Sequence, residues 1–291
     1  MHPLLILDLP SVYYRAFYAL PDTIKDVSGK PANAIKGSLS IISQIYSAQK
    51  ASGVLATIDI DWRPKWRVKL LPEYKAQRVI SDNEELPDLL AGQIPNLLSI
   101  LKDAAIPIIG KKNYEADDCI ASLVSSKKNC LIVTGDRDLF QLINPKRNNR
   151  IYLLSDKQIP IWDSKRFINS FGFSPEQYID YAILRGDPSD GLKGVEKVGE
   201  KTAAKLIIEY KNLDNLVSNI RTKNPNVYSL AEKNILKSID YLEKAKKVST
   251  AKSDLALEIN SPLLKLKSLQ KKAKFFKVEK QVNELLRLLD R

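Results

Sequence analysis

The chain has 291 residues, 44% of them hydrophobic and 27% charged, with 46 Lys+Arg against 34 Asp+Glu, a formal net charge of +12 and a pI near 9.4. Such a chain is globular rather than disordered and suits one large domain or two smaller ones; its positive balance points to a polyanionic partner, nucleic acid before membrane. One histidine and two cysteines exclude histidine-based acid–base chemistry, a Cys₄ zinc site and a disulfide framework, which leaves carboxylates, hydroxyls, lysines or an oxygen-held metal.

The opening MHPLLILDLP lacks a basic segment, and its apolar run is too short for a signal peptide. Leu4–Leu7, Val54–Ile58 and Cys130–Val133 read as buried parallel strands, with weaker candidates at Ile106–Ile109 and Ile151–Leu154. Amphipathic segments at Asn33–Lys50, Leu89–Ala105 and Glu115–Ser126 lie between them, the alternation of an α/β unit with a mainly parallel sheet. Leu89–Gly110 is broken by Gln93, Pro95, Asn96, Lys102 and Asp103, so it is no membrane span. Cys119 and Cys130 sit in apolar runs and read as buried free thiols of a reducing compartment, which gives a cytoplasmic location. The stretch Asp61–Glu85 mixes basic residues with two tryptophans and a tyrosine, and is long for a connection inside an α/β domain. After about Gly172 the pattern turns all-helical: Pro175–Arg185, a loop Gly186–Glu200, then Lys201–Tyr210, Leu213–Ile220, Tyr228–Lys246 and Gln270–Leu289.

Each main strand runs into an acid: Asp8, Asp59, and Asp136 with Asp138 just beyond. Ligands bind at the carboxyl ends of parallel strands, so these acids would converge there. Glu115, Asp117 and Asp118 crowd the start of another helix. The plain explanation is the helix macrodipole, which favours such acids by roughly 0.3–1 kcal/mol each. Asp117, however, falls on one stripe with Ile120, Ala121 and Val124, and an acid in line with the core wants a partner. Separate turn and cap aspartates are the competing reading. The number of acids favours a Mg²⁺ or Mn²⁺ site, in which two ions could activate water and stabilise a leaving oxygen in phosphodiester hydrolysis. A second locus, Ile183–Leu206, carries Asp187 and Asp190 and a loop with Gly191, Gly194 and Gly199 that opens a helix. Backbone N–H groups there suit a phosphate; an ordinary capped hairpin is the alternative.

YEADD (Tyr114–Asp118), VTGDRDLFQL (Val133–Leu142) and GDPSDGLKGVEKVGEKTA (Gly186–Ala203) resemble the signature blocks of the 5′–3′ exonuclease family, which includes flap endonucleases. LPEYKAQR (Leu71–Arg78) resembles the start of its helical arch and LDLPSVYYRAFYAL (Leu7–Leu20) its opening block, so the likeness covers about residues 3–250. It is nearest to the N-terminal 5′ nuclease domain of bacterial DNA polymerase I, here as a stand-alone protein. The resemblance implies a PIN-like α/β domain with a mainly parallel sheet and a helical arch (residues 1–172, arch about 61–86), followed by an all-helical helix–three-turn–helix DNA-binding module (173–253). A helical tail of unknown role follows (254–291). It implies a first metal site of Asp8, Asp59, Glu115, Asp117, Asp118 and Asp136, and a second of Asp138, Asp187 and Asp190. Lys75 and Arg78 would contact the scissile phosphate as catalytic cations, and Tyr74 would stack on a base near the cut. Arg67 would contact phosphate. Lys193, Gly194, Val195, Lys197, Gly199, Lys201 and Thr202 would bind the duplex backbone, with a K⁺ ion held by carbonyls of the hairpin loop.

Four departures stand out. The family's Asp-Gly after the first strand is Asp8-Leu9 followed by Pro10, its Asn after the last aspartate is Gly191, its Pro two residues on is Lys193, and its middle hairpin Gly is Lys197. The activity implied is removal of 5′ flaps and RNA primers from DNA with flaps, nicks or free 5′ ends, in replication and repair. It would use two or more divalent ions, at the nucleoid, away from membranes and alongside a separate DNA polymerase. A noncatalytic DNA-structure-binding protein of the same fold is the alternative, and a haloacid-dehalogenase-type phosphatase a third; the latter needs an Asp where Pro10 stands.

Overall fold

A computed structural model describes residues 2–80, 88–225 and 228–290. Six strands, β1 (Leu4–Asp8), β2 (Gly53–Thr57), β3 (Ile108–Ile109), β4 (Cys130–Thr134), β5 (Arg150–Leu153) and β6 (Ile161–Trp162), form one sheet in the order β3-β2-β1-β4-β5-β6. All neighbours are parallel except β5 and β6. The short antiparallel β6 gives no apolar run, so nothing in the sequence announces it. β3 is shorter than expected, starting only after Pro107, which has no N–H for a ladder.

The central runs are apolar at consecutive positions because both faces are covered. Leu5, Leu7, Val54, Ala56, Leu131 and Val133 pack on one side; Ile6, Leu55, Ile132 and Ile151 pack on the other. The first face lies under helices Leu9–Ala19, Asn33–Ala48 and Ile94–Asp103. The first two cross so closely at Gly37 that an added Cβ would lie 2.7 Å from that of Ala16. The second face lies under helix Ala116–Ser126, and its apolar cluster runs on through Phe140, Phe167 and Tyr178 into the helical module (Tyr178–Arg185, Glu200–Tyr210, Leu213–Thr222, Leu230–Lys237, Ile239–Ser249). The core therefore passes residue 172 without a break.

Three expected helices are divided. Leu89–Ala105 becomes Asp88–Ala91 and Ile94–Asp103, the second starting with Pro95 in its first turn, where proline is tolerated. Tyr228–Lys246 becomes Leu230–Lys237 and Ile239–Ser249, parted at Ser238. Gln270–Leu289 becomes Leu266–Phe276 and Glu279–Leu288, parted where Lys277 takes the left-handed conformation (φ 54°). Of the expected arch, Lys65–Leu70 and Gln77–Ile80 are helical, and residues 81–87 lie outside the described residues.

The tail has a clear place. From Thr250 to Lys265 the chain has no regular structure and crosses back over the helix Ala116–Ser126. Lys252 N donates to Asp118 (2.8 Å), Ser122 Oγ to Lys252 O (2.9 Å) and Lys111 Nζ to Ala256 O (2.7 Å). The two terminal helices then bury Leu269, Ala273, Phe276, Val282 and Leu285 against the first face, and Lys272 bridges to Asp103 (2.5 Å).

Candidate active site

β2 and β3 lie on one side of β1, and β4 to β6 build on the other. The crevice of such a sheet forms at the carboxyl ends of the strands where the order reverses. A cavity of about 1320 Å³ opens there. Asp8, Asp59, Glu115, Asp117, Asp136, Asp138, Asp187 and Asp190 line it, together with Lys75, Arg78, Arg137 and Arg185. Eight of the nine expected acids thus share one space.

Each acid arrives by a different local device. Asp8 ends β1, with Pro10 heading the helix behind it, and its Oδ2 accepts from Ser11 Oγ (2.5 Å) and Thr134 Oγ1 (2.6 Å). Asp59 accepts from Ala116 N at the start of the acid-bearing helix (2.7 Å). Asp136 follows β4 and accepts from Asp138 N (2.7 Å). The helix Tyr178–Arg185 ends at Gly186, and Asp187 caps the next turn, accepting from Ser189 N (2.9 Å). Asp117 sits in the first turn of the helix Ala116–Ser126.

The acids of the cavity repel one another and are partly desolvated. Desolvation first, then Asp59 and Asp136, lift Asp8 to about 6 from the usual 3.8. Enclosure by the cavity walls and then Asp190 lift Asp136 to about 6 as well, although Asp136 is open to the cavity, where water screens the effect. Asp117 and Asp138 lie well above the ordinary carboxylate range, again from desolvation and then from Asp136.

Behind the cavity lies a second knot of carboxylates, arranged in the opposite way. Asp118 is fully buried and does not line the cavity. Arg67 grips it with both guanidinium ends (2.7 and 2.8 Å), donates to Glu115 (2.6 Å), and sends Nε to Val248 O (2.8 Å). Tyr74 donates its hydroxyl to Glu115 (2.8 Å), and Lys75 Nζ closes on the other Glu115 oxygen. Three expectations are corrected here. Asp118 is no ligand at the first site, since Arg67, Lys252 N and Glu115 N occupy its oxygens. Arg67 is 2% exposed and contacts no phosphate, because a buried guanidinium between two carboxylates is already paired. Tyr74 is 3% exposed and cannot stack on a base.

Lys75 and Arg78 do reach the cavity, Lys75 paired with Glu115 and Arg78 with Asp190 (3.1 Å). In the hairpin, Lys193, Lys197, Gly199 and Lys201 are exposed, with Thr202 partly so. Gly194 and Val195 are buried: Gly194 N donates to Tyr241 Oη (3.2 Å) and Val195 packs in the core, so neither presents a side chain or that N–H outward. Lys197 has φ 62°, the strained conformation its position demands. Sequence reasoning missed Arg185, which tempers Asp138 and pairs with Asp187, Arg137, which lines the cavity, and Ser11 and Thr134, which orient Asp8. Ser11 was readable three positions after Asp8, in the first turn of a helix.

The donor set fits hard divalent cations: all-oxygen, acidic, partly desolvated, with no hydrogen bond to the Asp117 carboxylate among the described residues. The carboxylates stand around open space, and among the described residues no three already close into a ligand cage.

Two family descriptions match the chain: 5′–3′ exonuclease, N-terminal resolvase-like domain, over residues 3–172, and 5′–3′ exonuclease, C-terminal SAM fold, over 173–272. A 5′–3′ exonuclease of Streptomyces coelicolor is 36% identical over 262 residues, covering 87% of each chain. One from Aquifex aeolicus is 32% identical, covering 92% of this chain and 88% of its own. DNA polymerase I of Mycobacterium tuberculosis is 36% identical over 222 residues, 75% of this chain but 24% of the polymerase. Among solved structures, bacteriophage T5 flap endonuclease in complex with DNA and metal ions superposes with a TM-score of 0.68 at 17% identity, covering 99% of this chain and 100% of the other. Flap endonuclease-1 of Methanococcus jannaschii gives 0.62 at 14%, covering 99% and 93%. At such identities the superpositions speak for the fold: a PIN-like domain followed by a helical module.

Proposed function

Because this chain belongs to the 5′–3′ exonuclease family, we propose that it is a structure-specific 5′ nuclease that hydrolyses DNA at flaps, nicks and free 5′ ends, RNA primers included, using Mg²⁺ or Mn²⁺. One observation carries the reading: eight acids from five parts of the chain line one cavity, with a lysine and three arginines among them. Divalent cations, where held by these acids, would supply Lewis-acid polarisation of the phosphate and a nucleophilic water at neutral pH. Asp8, Asp59, Glu115, Asp117 and Asp136 would hold them on the strand side, and Asp138, Asp187 and Asp190 on the side of the helical module.

The chain's own residues then do the rest. Ser11 and Thr134 fix the Asp8 carboxylate so that one oxygen stays free. Lys75 and Arg78, now paired with Glu115 and Asp190, present positive charge where a phosphate would enter and would grip it electrostatically. The exposed Lys193, Lys197 and Lys201, with the Gly199 backbone, would hold the duplex through its phosphates, so selectivity follows shape rather than sequence. A K⁺ ion on the hairpin carbonyls belongs to this proposal, as do a cytoplasmic, nucleoid-associated location and a separate polymerase partner. Nothing favours the noncatalytic alternative, since the cavity acids are present. The phosphatase reading falls because Pro10 sits in a helix turn where a second acid would be required.

The test is cleavage of matched flap, nicked and single-stranded substrates with Mg²⁺ and mapped product ends. Products with 5′-phosphate and 3′-hydroxyl ends, lost in Asp136→Ala, are expected. Tight binding by wild type without any cleavage would refute the proposal.

A further inference from the structure

The two catalytic cations are held in place by the loop that carries Asp187 and Asp190. Lys75 is a non-glycine residue in the left-handed region (φ 50°), a strained conformation that survives only if neighbours enforce it. Its N–H donates to Asp190 O (3.0 Å). Gln77 Nε2 donates to Pro188 O (3.0 Å) and Ser189 O (2.8 Å), and Arg78 donates Nε and Nη2 to Ser189 O (3.2 and 2.9 Å). The turn Glu73–Gln77 therefore lies flat on the loop Pro188–Gly191.

This seating depends on Gly191. A Cβ there would lie 2.3 Å from Glu73 O, 3.0 Å from Gln77 Oε1 and 3.2 Å from Lys75 N. The nearest atom is backbone, so the turn bearing Lys75 would have to move. Positive φ alone does not demand glycine here (φ 71°), because asparagine tolerates that region and is the residue the family pattern carries at this place. What excludes a side chain is the approach of the turn.

We propose that Gly191 and Gln77 are positioning residues, which seat the turn of Lys75 on the aspartate loop and so aim Lys75 and Arg78 into the cavity. The proposal rests on the nuclease reading above. It ties the cations of the insertion to the acids of the helical module, so that engagement of one by DNA is felt by the other.

Gly191→Asn tests it, with Gly29→Asn as control: Gly29 also has positive φ (84°) but nothing within 4 Å of its added Cβ. Three quantities are measured: hydrogen exchange of the Lys75 amide, single-turnover cleavage of a 5′ flap in Mg²⁺, and flap affinity in Ca²⁺. For Gly191→Asn we expect loss of Lys75 amide protection and a cleavage rate reduced ~10–100-fold, the scale of a 1 Å misplacement. Affinity should stay within about threefold and the thermal midpoint should match that of Gly29→Asn. Gln77→Met should slow cleavage less, and add little on top of Gly191→Asn, because both act through one contact. Wild-type protection and rate in Gly191→Asn, or an equal rate loss in Gly29→Asn, would overturn the proposal. If wild type itself fails to cleave, the nuclease reading falls, while the exchange data still decide the seating.

Discussion

Asp117 and Asp118 are chain neighbours with opposite fates. Asp118 points behind the cavity and is satisfied by the protein's own cation, Arg67, through two hydrogen bonds. Asp117 points into the cavity among other acids, and its carboxyl group is lifted far above its ordinary range by desolvation and then by Asp136 and Asp8. One helix turn thus separates a closed, self-compensated carboxylate knot from an open, uncompensated one. Burial of an acid therefore has two outcomes: where the compensating charge is built in, the carboxylate is structural, and where it is not, the carboxylates are arranged to hold cations.

The contrast breaks most visibly at Arg67. Arg67→Met leaves Glu115 and Asp118 buried without their guanidinium, and should lower stability by about 3–5 kcal/mol, read as a large fall in the denaturation midpoint in divalent-free buffer. If Arg67 contacted DNA instead, stability would hold and only the salt dependence of DNA binding would flatten. Asp117→Asn probes the other side. Cleavage should fall on the order of 100-fold or more, while stability without divalent ions stays level or rises, since a repelled charge has been removed. A loss of stability comparable to that of Arg67→Met would show the two knots to be alike.

These two residues also mark how far the sequence could be read. The strand-end acids were legible because parallel strands send their carboxyl ends to one place, whatever else the chain does. The period-3.6 stripe put Asp117 in line with the core, whereas Asp117 is partly exposed to the cavity and Asp118 is the acid buried in the protein; the stripe could not say which of the two was clamped. That depends on Arg67, 51 positions away. Arg67 and Tyr74 are expected to contact DNA only because the family resemblance implies it. They are turned inward onto Glu115 and Asp118, Arg67 also donating to Val248 O, while the segment 250–256 returns over the helix Ala116–Ser126 and donates Lys252 N to Asp118. No periodicity encodes such a return: the segment has no regular structure, and its binding is through backbone groups. The tail helices failed to declare a role for a related reason, as their apolar residues match a face of the α/β domain that only the fold assembles.

A smaller effect concerns pH. Asp8 ionises near the usual 3.8 in the unfolded chain and near 6 in the fold, so the fold holds that proton more tightly. Its stabilisation is complete below about pH 4 and is lost as pH rises through 6, on the order of 3 kcal/mol in all. Without divalent ions the protein should therefore melt at a lower temperature at pH 8 than at pH 5, and Asp8→Asn should narrow the gap. Ca²⁺ should raise the midpoint more at pH 8 than at pH 5. A pH dependence untouched by Asp8→Asn would place the titrating groups elsewhere.

The smallest expected effect falls on the boundary between the two regions. Tyr74 donates one hydrogen bond to the Glu115 oxygen that Arg67 also holds, while Lys75 holds the other. Tyr74→Phe keeps the ring, its packing and any capacity to stack, and removes only the hydroxyl. With Arg67 still in place, Glu115 keeps a charged partner on that oxygen, so the cost should be about 0.5–1.5 kcal/mol of stability. Flap affinity in Ca²⁺ should be unchanged. Tyr74→Leu, which removes the ring as well, should cost more stability but again leave affinity intact, because the ring is inside the protein. A stacking role gives the reverse pattern, with Phe neutral throughout and Leu weakening DNA binding by ~1–3 kcal/mol. The two substitutions therefore decide whether Tyr74 belongs to the protein's own carboxylate knot or to the DNA.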